Sequence, residues 1–205
     1  MADTYKNYAE LSASETKGVD YQISYFSKPS NKIIMAIHGG GIETGTSELT
    51  RDIAGTLHSY YLFEGLKSSG NGDLHITSTN FDEPNALRMV AEASYCLTLH
   101  GYAHSIKKHT LIGGADHNVK LQVYNKLIAA GFSAELLDEA DRLSGSDPEN
   151  IVNKTKRWMG VQLELSTAQR NAFFSKNTLA DRKNTQTAEF YKYTQVLKDV
   201  FGALV

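Results

Sequence analysis

Cysteine is nearly absent from this chain, and the single residue, Cys96, excludes an intrachain disulfide framework. It lies in the apolar stretch SYCLTLH, where a small reduced thiol is expected to pack in a core. Proline occurs only three times, and no internal repeat, low-complexity tract or linker interrupts the 205 residues. That length suits one sizeable domain spanning 1–205 rather than two. No apolar run approaches the ~20 residues of a membrane span. The start, MADTYKNYAELSASE, lacks the basic-then-apolar pattern of a secretory signal. The expectation is a protein synthesised in the cytoplasm, soluble, monomeric and free of membrane partners. A formal net charge of −2 gives no electrostatic reason to expect nucleic acid as the main partner, so a polyanionic ligand would need a local basic patch.

What is present is an alternation of strands and helices. YQISYF (21–26) alternates like a strand, and NKIIMAIH (31–38) is a continuous apolar run, the pattern of a strand covered on both faces. Leu49, Ile53 and Leu57 recur at helical spacing after Thr46 or Ser47, either of which can cap a helix. SYYLFEGL (59–66) reads as a strand, and LKSSGNGDLHITSTNFDEP as a long polar loop with few core anchors. Pro84 suits the first turn of a helix reaching about Ala93, before the strand YCLTLHGY. HTLIGG reads as another strand, and Asn118–Ala130 as a helix closed by a left-handed Gly131. FSAELL, a short helix in SDPENIVNK, the buried strand GVQLELS and a helix from Thr185 to about Phe201 complete the chain. The pattern predicts an α/β fold with a mixed, mostly parallel sheet flanked by helices.

In such sheets ligands bind beyond the carboxyl ends of the strands. The polar residues placed there are His38, Glu43, His100 and Glu164. His38-Gly39-Gly40-Gly41 resembles the oxyanion loop of esterases, but that chemistry also needs a G-x-S-x-G elbow downstream, and none occurs. A metal centre fits better. On a helix, His38 and Glu43 would point about 140° apart, and on a strand to opposite faces. Three glycines between them let the loop fold back and aim both side chains at one point.

Two histidines and a carboxylate form a standard catalytic zinc set with a fourth position open, and His38, Glu43 and His100 supply one. His75, His104 and His109 compete with His100, and sequence does not rank them. Taken alone, His38 reads equally as a hydrogen-bonded structural histidine, and Glu43 as a charge at a helix start. Glu164 stands in a strand too apolar to bury an unpaired carboxylate, so it pairs, binds metal or stands at the sheet's exposed carboxyl edge, where facing a zinc-bound water it would serve as general base. Gln162, two residues earlier on the same strand face, supports the rival view of a polar sheet face without chemistry.

The stretches HGGGIETGTSEL, LHITSTNFDEP, LHGY, DPENIVN and GVQLELSTAQR together resemble the zinc-dependent poly-γ-glutamate hydrolases of bacteriophages and bacilli, over nearly the whole chain. The resemblance implies a compact relative of the zinc-carboxypeptidase (phosphorylase/hydrolase-like) fold. It implies zinc held by His38, Glu43 and His100, Glu164 as the catalytic carboxylate, and a polyanionic capsule polymer as substrate. Asn153 and Lys154 stand where the relatives are expected to carry Asn-Arg, and lysine cannot fork onto a carboxylate as arginine does. Asn153, Lys154, Arg157 and Arg170 are the expected substrate-binding residues, with Lys107 and Lys108 beyond the LHGY strand. With no signal segment expected, access to an extracellular polymer would follow cell lysis. Two other readings stand beside this one: a zinc amidohydrolase of another γ-glutamyl or N-acyl amino acid substrate, and a non-catalytic polyanion-binding module.

Overall fold

A computed structural model of the chain describes residues 3–205; residues 1 and 2 of the span expected as one domain lie outside it. The elements are α1 (Tyr8–Ser14), β1 (Tyr21–Phe26), β2 (Lys32–Gly40), α2 (Thr46–Ala54), β3 (Ser59–Gly65), α3 (Pro84–Glu92) and β4 (Tyr95–Tyr102). They continue with β5 (Thr110–Gly113), α4 (His117–Ala129), β6 (Ala134–Leu136), β7 (Val161–Ser166), α5 (Thr167–Ala172) and α6 (Ala188–Ala203). The seven strands form one sheet in the order β1-β3-β2-β4-β7-β5-β6. Its centre is parallel; β1 against β3 and β5 against β7 run antiparallel. The expected mixed, mostly parallel α/β sheet is therefore observed. No helix among the described residues is long and apolar enough to cross a membrane.

Alternation along the strands divides the core into two layers. Ile34, Leu97, Leu99, Leu163 and Leu165 pack against Leu49 and Ile53 of α2, Val119, Val123 and Leu127 of α4, and Phe190, Tyr193 and Leu197 of α6. Ile33, Met35, Ile37 and Cys96 face the other way, onto Leu11 of α1, Ala86, Met89 and Val90 of α3, and Ile151 and Val152. Full burial of side chains of this size stabilises by about 1.5–3 kcal/mol each before entropy is charged. Cys96 occupies the core position expected of it.

Several boundaries and anchors depart from the sequence reading. The segment 66–84 is no loosely held loop: Leu74, Ile76 and Phe81 are all buried in the second layer. Helix α2 has no side-chain cap; Gly45, at φ 94°, precedes it, and the Thr46 hydroxyl donates to the Glu43 carbonyl at 2.8 Å. It ends at Ala54, and Leu57 is left exposed. The expected helix in SDPENIVNK is only a 3-10 turn over Ile151–Asn153. Gly131, by contrast, is left-handed at φ 81°, as expected for a residue closing α4.

Strand β2 carries an irregularity that positions everything downstream. Its parallel pairing with β3 shifts register between Ala36 and Gly39, a β-bulge, and resumes at Gly39–Glu64 and Gly40–Gly65. Gly40 has φ 65°, and a Cβ there would run into the Gly65 carbonyl oxygen. Gly40→Ala is expected to destabilise the fold by at least about 2 kcal/mol, combining the left-handed penalty with the backbone clash. Urea denaturation at neutral pH measures it; a change under about 0.5 kcal/mol would show that the bulge relaxes freely.

Candidate metal centre and cleft

The bulge decides where His38 points. Strict alternation would place it with Ile34, opposite Ile37. After the bulge it turns to the same side as Ile37, where its Nε2 lies 2.8 Å from the Ile76 carbonyl oxygen. His100 on β4 lies in register with Glu164 on β7. The chain then reverses after Gly40, with Glu43 N–H donating to His38 O at 2.9 Å and Gly41 N–H to Gly65 O at 2.9 Å. Two buried arginines brace this turn. Arg182 donates to Gly40 O at 2.7 Å and to Glu48 at 3.1 Å, and Arg170 donates to Thr44 O at 3.0 Å.

Four ligand-type atoms from three residues converge as a result. His38 Nδ1 is 3.0 Å from His100 Nδ1 and 3.3 Å from Glu43 Oε1, and His100 Nδ1 is 3.5 Å from Glu43 Oε2. A tetrahedral ion with bonds of about 2.0–2.1 Å has ligand–ligand edges of about 3.3–3.4 Å, close to the spacing at which these three residues present their donor atoms. The Ile76 carbonyl can only accept, so a neutral His38 keeps its proton on Nε2 and turns the Nδ1 lone pair toward the other two ligands. Glu43 is itself fixed by the Gly101 N–H at 2.9 Å. His100 Nε2 is buried without a partner.

The electrostatics describe a site that attracts positive charge. Burial lowers the His38 pKa, against the pull of Glu43. Burial would lower His100 as well, but Glu43 and Glu164 together raise it. Burial acts to raise Glu43, and the two imidazoles outweigh it and hold the carboxyl well below its usual range. Glu164 goes the other way, pushed up to about 7 chiefly by burial, with Glu43 adding and His100 and Arg170 opposing. A divalent cation placed here would be attracted by both carboxylates.

His75, one of the competing histidines, also reaches the site. Its Nδ1 lies 2.7 Å from Asp3 Oδ1, and Asp3 Oδ2 accepts the Thr77 N–H at 2.6 Å. His38, Glu43 and His75 each offer an atom within 4.8 Å of the others. The ring geometry separates the two triplets. His75 stacks on His38 at 4.0 Å and 30°, whereas His100 meets it edge-on at 4.9 Å and 71°. Two stacked rings aim their in-plane lone pairs at one point less readily than an edge-on pair, which favours His100 over His75 as the third candidate. His104 and His109 do not line the cleft: His104 accepts the Lys107 N–H, and His109 bonds Ser133 and lies 3.3 Å from Glu135.

Around the triplet opens a cleft of ≈ 1090 Å³. His75 and Thr77–Thr79 form one wall, Glu139–Asn150 the other, and Gln162 and Glu164 part of the floor. Gln162 orients Glu164. Its Nε2 donates to Glu164 Oε1 at 3.0 Å, while its Oε1 accepts from Asn150 Nδ2 at 2.9 Å. The polar face that Gln162 suggested is thus a support for the carboxylate.

The four expected substrate-binding residues do not line this cleft, and each has a physical reason to be elsewhere. Asn153 is buried, with both amide atoms spent on the backbone of Ala115, Gly160, Gly145 and Asp147. Lys154 pairs with Glu149, and Arg157 with Asp116 while it stacks on Tyr95. Arg170 is the buried brace of Thr44, packed over Gly101. Lys108 pairs with Glu189. Tertiary partners such as these leave no mark in local sequence. Asp3 and Arg142, which the sequence did not single out, line the cleft but lie far in sequence from His38, Glu43 and His100 and carry no spacing signal.

Comparison with known proteins gives one consistent picture. The family described as poly-gamma-glutamate hydrolase matches residues 5–196. The SPbeta prophage-derived UPF0714 protein YoqZ of Bacillus subtilis (strain 168) is 48% identical over 196 residues, covering 96% of this chain and 70% of YoqZ. A zinc-free apo structure of YndL superposes with a TM-score of 0.95 at 42% identity, over 98% of both chains. The structure of a bacteriophage poly-gamma-glutamate hydrolase superposes with a TM-score of 0.92 at 40% identity, over 98% of this chain and 97% of that one.

The raised pKa of Glu164 carries a stability consequence in metal-free protein. The neutral carboxyl is the form the fold prefers, so its contribution is complete below the ordinary glutamate value of 4.5 and is lost as pH rises through about 7. Glu164→Gln, which mimics the neutral form, should melt several degrees above the metal-free parent at pH 8, and the gap should close toward pH 5. Thermal melts in chelator at both pH values read the difference; a gap that widened on acidification would contradict it.

Proposed function

The chain belongs to the poly-γ-glutamate hydrolase family and is an enzyme, and on that premise we propose that it cleaves γ-glutamyl amide bonds with His38, Glu43 and His100 holding zinc and Glu164 as general base. The observation that carries the reading is the approach of donor atoms from His38, Glu43 and His100 to 3.0–3.5 Å of one another, with Glu164 in register with His100 on the adjacent strand. When bound, zinc supplies Lewis acidity that polarises the scissile carbonyl and acidifies water. The remaining work falls to the protein's own groups.

Glu164 is suited to the base role by its environment. Gln162 occupies its Oε1, which leaves Oε2 to take the proton of the attacking water and later deliver it to the departing amine nitrogen as the carbon–nitrogen bond breaks. With a pKa pushed up to about 7 in the metal-free site, its carboxyl is poised to accept and release a proton near neutrality. The buried Asn150–Gln162 bond keeps the carboxylate in place between turnovers.

Metal analysis and polymer viscosity test the proposal together. Purified protein should carry about one zinc per chain, and thinning of a poly-γ-glutamate solution should stop with chelator and return with zinc. Glu164→Gln should keep its zinc while kcat falls by roughly 10²–10⁴-fold. His100→Ala should lose metal, and His75→Ala should retain it. Zinc retained in His100→Ala but lost from His75→Ala would transfer the third ligand to His75.

A further inference from the structure

A polymer of γ-linked glutamate carries a free α-carboxylate on every residue, yet the cleft that would receive it is acidic. Asp3, Glu43, Glu139, Asp147 and Glu164 all contribute to its lining, against one lysine or arginine, Arg142. Four of these five acidic groups are already engaged. Asp3 holds His75 and Thr77, Glu43 faces the imidazoles, Asp147 accepts the Glu149 N–H, and Gln162 donates to Glu164, while Glu139 is exposed, 3.5 Å from His117. Among the described residues the Arg142 guanidinium has no ion pair and no hydrogen bond.

Its backbone, in contrast, is firmly held on both sides. Asp138 N–H donates to the Asp141 carboxylate at 2.8 Å, and Ser144 N–H to Asp141 O at 2.9 Å. Buried Ser144 accepts the Gly114 N–H at 2.6 Å, and Asn153 Nδ2 grips Gly145 O at 2.8 Å and Asp147 O at 2.9 Å. The neighbouring Leu143 carbonyl lies 3.5 Å from Gln162 Nε2, the atom that donates to Glu164. A free guanidinium therefore projects from a fixed wall whose next residue touches the support of the catalytic carboxylate.

We propose that Arg142 is the residue that holds a free α-carboxylate of the bound polymer and so sets preference for an anionic γ-glutamyl chain. The assignment rests on the function proposed above. A guanidinium presents two parallel N–H donors to a carboxylate, which lysine cannot reproduce, so a charge-conserving replacement restores little of the grip. Asn153, expected to touch substrate itself, acts here through the loop it pins.

Steady-state kinetics on zinc-loaded enzyme test it, using poly-γ-glutamate and an uncharged analogue with esterified α-carboxyls. Arg142→Ala should raise KM for the free polymer about 10-fold or more and change kcat less than about threefold. Arg142→Lys should recover only a small part. On the esterified polymer, parent and variants should have the same KM, because the group that Arg142 holds has been removed. Unchanged KM on the free polymer, or an Arg142→Ala variant that still discriminates acid from ester as the parent does, overturns the assignment while leaving the hydrolase reading intact. Failure of the parent enzyme to cut the free polymer at all overturns that reading, and this one with it. Melting temperatures of all variants within about 2 °C of the parent confirm that the exposed loop has not unfolded.

Discussion

Two buried imidazoles at the ends of parallel strands, with a mostly covered carboxylate between them, dominate the design of this molecule. Burying a lone carboxylate costs several kcal/mol, so Glu43 is tolerable only with His38, His100 and the Gly101 N–H around it. That requirement explains the surrounding construction. The bulge turns His38 to the face His100 already occupies, the glycines allow the reversal that brings Glu43 back, and Arg170 and Arg182 hold the reversed turn from beneath. None of these features improves packing by itself; together they stabilise a polar cluster in an otherwise apolar sheet.

The same environment gives two carboxylates opposite characters. Glu43 sits between imidazoles and remains ionised, while Glu164, one strand further, is buried with fewer compensating charges and retains its proton to about pH 7. Gln162 could not produce this difference alone, since a single amide donor only partly offsets desolvation. It sets direction instead, fixing which oxygen of Glu164 faces the cleft.

How much of this could be read from the sequence follows a physical division. Strand positions were legible because parallel strands buried on both faces are continuous apolar runs, and a polar residue ending such a run stands out: His38 after KIIMAI, His100 after YCLTL, Glu164 within VQLEL. Helix α1 was missed because it buries only Leu11 and so shows no periodicity. The wall carrying His75 looked loosely held because its anchors, Leu74, Ile76 and Phe81, follow no regular spacing. The partners of the expected cations are not legible, because ion pairs such as Arg157–Asp116, separated by 41 residues, are made only by the fold. Those partners occupy the cations that sequence proximity selected, and leave Arg142 free.

The topology of the sheet gives the metal centre a second meaning. Pairing between β2 and β4 stops at Met35–Thr98; beyond it β2 follows β3 to one side and β4 follows β7 to the other. His38 and His100 therefore stand on opposite lips of a seam, with β1-β3-β2 on one bank and β4-β7-β5-β6 on the other. An ion gripped from both lips would act as a rivet across that seam, closing a place where the backbone ladder has been released. Because ligand binding to the native state adds to its stability, the cohesion of the two halves and the occupancy of the site would rise and fall together.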